Sequence, residues 1–109
     1  MGDELEDPYL AEIVRRLVAA LQPERIYLFG SRARGEAKAD SDYDVLVIVS
    51  NSDMPQHKRE QAAYHHLWGV GVPIDVLVLT TEECERQASV VTSLPATVRE
   101  EGEIVYRAA

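Results

Sequence analysis

Apolar residues recur along this chain in two periods. Leu10, Ile13, Val14, Leu17, Val18 and Leu21 fall three or four apart, the spacing that lines one face of an α-helix. Asp7-Pro8 supplies its start, an N-cap carboxylate followed by a ring preset for the first helical turn. Gln22-Pro23 stops it, because proline disfavours helix in the residue before it. The period then changes. Residues 25–29 read as a short strand and residues 42–49 as a second. Beyond its aspartates the second strand is apolar at every position, the mark of a central strand covered on both faces.

A brief helical turn is expected over 31–35, then a polar loop through Asp40. Met54-Pro55 opens a second helix to about Trp68, with Ala62, Ala63, Leu67 and Trp68 as its buried positions. Gly69 and Gly71 end it, and residues 72–79 form a third strand. Thr80 followed by Glu83 is a capping box for the next helix. A weaker helical pattern covers 88–101, with a break near Leu94-Pro95. Gly102 is its C-cap residue, and 104–106 form a short extended tail. This alternation predicts one α/β unit with a small sheet, a single domain over residues 1–109.

Composition narrows the class. With 46% hydrophobic residues the chain can bury a core. Its net charge of −8 argues against a nucleic-acid backbone as the main partner, yet a bound cation can still invert the local charge of a nucleotide site. The lone Cys84 cannot form an internal disulfide and suits a reducing, cytoplasmic setting. It lies among Glu82, Glu83 and Glu85, whose charge disfavours a reactive thiolate. The first seven residues lack the basic and apolar runs of a signal peptide, and no stretch is long and apolar enough for a membrane span. His57, His65 and His66 share one helix, but no Cys or carboxylate falls at ligand spacing from them, so no metal site is expected there.

The chemistry concentrates between Gly30 and Asp44. A glycine at a strand end lets backbone approach a ligand closely. The turn after it would aim amides and the Ser31 hydroxyl at phosphate oxygens; a plain tight turn capped by Ser31 is the bland alternative. Gly30 and Gly35 have the spacing of a P-loop, but Glu36 and Ala37 stand where that loop needs Lys and Ser or Thr. Asp42 and Asp44, two apart, project from one strand face, and such paired carboxylates suit Mg²⁺. A solvated acidic loop is the alternative. An EF-hand fails, because Val45 and Asn51 occupy its required Gly and Glu positions. Asp75 lies in an apolar strand, where a carboxylate is costly unless paired or on a metal. It could complete a three-carboxylate cluster, or be a strand-edge aspartate that faces water or pairs with an arginine.

Together, Gly30-Ser31, then Asp42-x-Asp44 leading into a strand, then Asp75 on a later strand, resemble the signature of the DNA polymerase β-type nucleotidyltransferase superfamily. The stretches 26–35 and 41–44, with the ending at 101–106, look similar to the minimal nucleotidyltransferases (the MNT type). The resemblance spans nearly the whole chain. It implies a small mixed sheet of three to four strands flanked by helices. It implies that Gly30 and Ser31 contact a triphosphate, that Asp42 and Asp44 hold one or two Mg²⁺ ions, and that Asp75 is a third ligand and possible base. Arg32 and Arg34 would neutralise the triphosphate or serve the surface. Larger relatives carry an extra domain for the acceptor, which this sequence lacks. The MNT group resembles the antitoxin half of HEPN–MNT pairs, which transfers AMP from ATP to a tyrosine of a HEPN-type toxin. The alternatives are an idle binding module that silences a partner by occlusion, and a small-molecule adenylyltransferase.

Overall fold

The computed structural model describes residues 7–36, 42–90 and 92–108. Its elements run α1 (Pro8–Leu21), β1 (Arg25–Phe29), β2 (Tyr43–Val49), α2 (Gln56–His66), β3 (Ile74–Thr80), α3 (Thr81–Ala88), α4 (Leu94–Glu101) and β4 (Glu103–Arg107). The polar loop expected through Asp40, and Ser41 of the acidic motif, lie outside the described residues.

The four strands form one mixed sheet in the order β3-β2-β1-β4. β1 pairs antiparallel with both β2 and β4, and β2 pairs parallel with β3 across the α2 crossover. The two faces of the sheet have separate cores. On one face Leu10, Ile13 and Leu17 of α1 and Ala63 and Leu67 at α2 cover Val45, Val47, Val76 and Val78. On the other, Cys84 of α3 and Val98 of α4 cover Tyr27, Leu46, Ile48 and Leu79. Strand side chains alternate between faces, so Asp44 and Asp75 belong to the α3/α4 face.

The expected fold class and most element positions hold. Asp7 caps α1 by accepting from the Tyr9 and Leu10 amides at 2.9 and 3.3 Å. Gln22, with φ 48°, ends the helix before Pro23. Thr80 and Glu83 form the expected capping box. Gly102 is the C-cap of α4, and the reason is close packing. A Cβ there would meet the Val98 carbonyl oxygen at 2.6 Å and that of Leu28 at 3.0 Å.

Four expectations change. Trp68 is 86% exposed, and Ala62 is only partly buried. The helix ends at His66, so the apolar stripe no longer governs Trp68; its carbonyl accepts from Arg16 at 2.7 Å while its ring faces out. The third strand starts at Ile74, because Gly69 and Gly71 hold positive φ and extend the turn. Pro95 opens α4 instead of breaking a helix, with Ser93 as N-cap. The extended tail is a full strand, β4, zipped to β1.

Candidate active site

The acidic motif is sorted by the pleat of β2. Tyr43 points into the α1/α2 core, 2% exposed, and its hydroxyl donates to the Asp7 carboxylate at 2.6 Å. That anchor leaves Asp44 on the opposite face. The parallel register sets Asp44 beside Asp75, one rung before Val45 and Val76. Asp42 lies just ahead of the strand and is exposed, as is Asp75; Asp44 is partly buried. Among the described residues no three His, Cys, Asp or Glu side chains converge closely enough to form a metal cluster.

Electrostatics nevertheless couples the three aspartates. Burial raises the pKa of Asp44, and the negative charges of Asp75 and Asp42 raise it further; Arg34 acts against them. The fold therefore holds a carboxylate where ionisation is opposed. Gly30 lies directly against it. Gly30 has φ +75°, and a Cβ there would collide with the Asp44 carboxylate. Only glycine meets both demands at this point. The turn that follows is closed by Arg34 N–H to the Gly30 carbonyl at 3.2 Å and Glu36 N–H to the Ser31 carbonyl at 2.9 Å. Residues 31–35, where a helical turn is expected, form a hydrogen-bonded turn without a helix.

The two arginines of the turn differ. Arg32 lies over the Tyr43 ring, 3.8 Å from its centroid, a cation–π arrangement. Arg34 pairs with Glu36 at 2.8 Å and is the cation acting on Asp44. Beside them a pocket of about 160 Å³ opens between Gly30, Arg34 and the α4 residues Thr97 and Glu101.

Asp75 is exposed at the strand edge, as one of the two sequence readings had it. It is the second residue of an edge strand, and its partner is a tyrosine: the Tyr64 hydroxyl donates to Asp75 Oδ1 at 3.1 Å and accepts from Val76 N–H at 2.9 Å. Two further edge amides are capped in the same way, Val78 N–H by Glu60 at 3.1 Å and Thr80 N–H by Glu83 at 3.0 Å. Glu83 also takes the buried Arg59 guanidinium at 2.8 Å. Burial pushes Glu83 up, but the Thr80 amide and Arg59 outweigh it and hold its pKa low. Of this row, sequence reasoning found the Thr80 and Glu83 capping box and missed the rest. The trace of the missed part is the pair Glu60 and Tyr64, four apart on a polar helix face, a pattern that ordinarily reads as solvated surface.

The donor set fits a hard divalent cation. All three candidate groups are carboxylates, the oxygen chemistry that Mg²⁺ takes. A cation would also relieve the mutual repulsion that burdens Asp44.

The nucleotidyltransferase domain family model matches residues 9–105. Two bifunctional uridylyltransferase/uridylyl-removing enzymes are similar. They come from Xanthomonas euvesicatoria pv. vesicatoria (strain 85-10) and Xanthomonas axonopodis pv. citri (strain 306). Each is 34% identical over 74 residues, 67% of this chain and 8% of the relative, so the chain spans only a small part of their length. A candidate nucleotidyltransferase from Sulfolobus solfataricus has a similar fold, with TM-score 0.63 and 22% identity over 98% of this chain and 90% of that one. So does a toxin–antitoxin structure with AMP-PNP, with TM-score 0.64 and 18% identity over 90% of this chain and 73% of that one.

Proposed function

The chain belongs to the nucleotidyltransferase domain family, and on that premise we propose that it is a Mg²⁺-dependent transferase that moves AMP from ATP to a tyrosine hydroxyl of a partner protein. One observation carries the reading: the Gly30 turn is packed on Asp44, and the sheet register puts Asp75 beside Asp44. Gly30 and Ser31 offer backbone and hydroxyl to the triphosphate, with Arg34 as the nearby cation and Arg32 held on Tyr43. Asp42, Asp44 and Asp75 would hold the metal, which supplies charge neutralisation for the attacking and leaving oxygens. The acceptor oxygen bonds to the α-phosphorus, the bond to the bridging oxygen of the β-phosphate breaks, and pyrophosphate leaves. The hydroxyl proton passes to Asp75, the most exposed of the candidate groups along the two strands.

In this reading the acceptor hydroxyl is carried by another protein. Exposed Trp68 and Tyr64 beside the Asp75 edge give such a partner an apolar contact. A structural neighbour is a toxin–antitoxin structure with AMP-PNP, which supports an antitoxin role; the HEPN-type toxin as partner, the cytoplasmic setting and the single domain over 1–109 belong to the same reading and rest on the sequence resemblance. The curated relatives are named uridylyltransferases, so UTP is the competing donor. The test is incubation of the full chain with Mg²⁺, ATP or UTP, and the product of the neighbouring gene, followed by intact mass. Added adenylate on a partner tyrosine is expected. A partner neutralised without any added nucleotide, and equally by the Asp42→Ala/Asp44→Ala variant, would establish occlusion in its place.

A further inference from the structure

We propose that Tyr64 is a positioning residue for Asp75, holding one carboxylate oxygen so that the other is presented to the metal and the incoming hydroxyl. This rests on the reading of Asp75 given above.

The argument starts from the edge of the sheet. Among the described residues β3 has a strand on one side only, and Asp75 is exposed near its beginning. An exposed aspartate on an edge samples several rotamers, and a metal ligand or base needs one. Tyr64 removes that freedom. A hydroxyl has one hydrogen and two lone pairs. Val76 N–H occupies a lone pair at 2.9 Å, and this fixes the oxygen. The single hydrogen is then left for Asp75 Oδ1, 3.1 Å away, since an ionised carboxylate can only accept. Oδ2 is left for chemistry.

The tyrosine is itself held by the geometry of α2 against β3. Four helical residues rise about 6 Å, and two strand residues span about 6.6 Å. Residues 64 and 60 of α2 therefore fall opposite the alternate edge amides of Val76 and Val78, which they cap. Ala63 and Leu67, on either side of Tyr64, are buried in the core, and Arg59 is locked to Glu83. Glu60 performs the same capping without touching a carboxylate of the site, which makes it the control.

The test is metal binding by the full chain with a non-hydrolysable ATP analogue. Mg²⁺ affinity is read by calorimetry and Mn²⁺ by electron paramagnetic resonance, alongside thermal melts. Tyr64→Phe keeps the ring and its packing. It should weaken metal affinity about 10–100-fold, the usual cost of losing a group that orients a ligand. Glu60→Gln should leave affinity unchanged, and both variants should melt close to wild type. Wild-type affinity in Tyr64→Phe with loss in Asp75→Asn would overturn the proposal and leave the role of Asp75 standing. Wild-type affinity in Asp75→Asn would remove that role and the proposal with it. Equal losses in Tyr64→Phe and Glu60→Gln would assign the effect to helix docking. Tighter binding by Tyr64→Phe would show that the hydroxyl holds Asp75 away from the site.

Discussion

The two faces of β2 are finished in opposite ways at the same end. On the α1/α2 face, Tyr43 closes the layer: it is buried, bonded to Asp7 and covered by Arg32, and Val45, Val47 and Val49 follow it into hydrocarbon. On the α3/α4 face, Leu46 and Ile48 are as fully buried, but the next position toward that end is Asp44. An apolar residue there would have completed the layer. The fold instead keeps a carboxylate whose ionisation is opposed by burial and by two neighbouring aspartates. One face of the strand serves stability throughout. The other serves stability for two positions and then gives up a third to a carboxylate with a perturbed pKa, the kind of group that gathers in functional sites.

The strongest way to break this comparison is Asp44→Asn. The variant should lose nucleotidyl transfer by on the order of 10³-fold or more, the scale of losing a central electrostatic group in a catalytic site. It should melt no lower than wild type, because the fold already favours an uncharged group at this position. Transfer followed by intact mass, with a thermal melt on the same sample, checks both halves. A variant that lost stability along with activity would make Asp44 a structural residue and erase the contrast.

Two residues further along the same face the balance should reverse. Leu46 is fully buried between the sheet and the α3/α4 layer. Leu46→Ala should cost about 3 kcal/mol through lost burial and the cavity left behind, which lowers the melting midpoint by roughly 15 °C in a domain of this size. Transfer per folded molecule at low temperature should stay near wild type. Chemical denaturation and a single-turnover assay on the same preparation measure the two quantities.

Much of this contrast was legible in the sequence, and the reason is that the signals involved are local. Caps at Asp7 and Thr80, the helical stripe from Leu10, the apolar run after Asp44 and the Gly30-Ser31 turn each depend on a few consecutive residues. The grouping of Asp44 with Asp75 was legible only as a possibility. Their adjacency comes from parallel register across the α2 crossover, a relation between residues thirty-one apart. Trp68 was misread because helical periodicity was carried two residues past the helix end. The Tyr64 tie was invisible for a related reason. A polar pair on a helix looks the same whether it meets water or the bare edge of a strand. Buried Arg59 and partly exposed Glu83 form an ion pair that links α2 to α3, and nothing local in either segment announces it.

The smallest effect lies on the closed face, at Tyr43, and its pH dependence sharpens the comparison with its neighbour. Tyr43→Phe removes a buried hydroxyl and its bond to Asp7, worth about 1 kcal/mol. It leaves the Asp7 cap on the Tyr9 and Leu10 amides in place. Burial, and then the bond to Asp7, push the Tyr43 hydroxyl up to about 12, above the ordinary tyrosine value of about 10. A group whose pKa is raised by folding stabilises the fold below its unfolded pKa and loses that contribution as pH rises through its folded one. Wild type should therefore shed stability between about pH 10 and 12 that Tyr43→Phe lacks from the start, and their melting curves should converge over that interval. Asp44, its neighbour, is raised for the same first reason, burial, yet makes no such bond among the described residues. On the closed face the raised pKa marks a proton held in a bond that stabilises the fold. On the open face it marks a carboxylate whose ionisation burial and the neighbouring aspartates oppose.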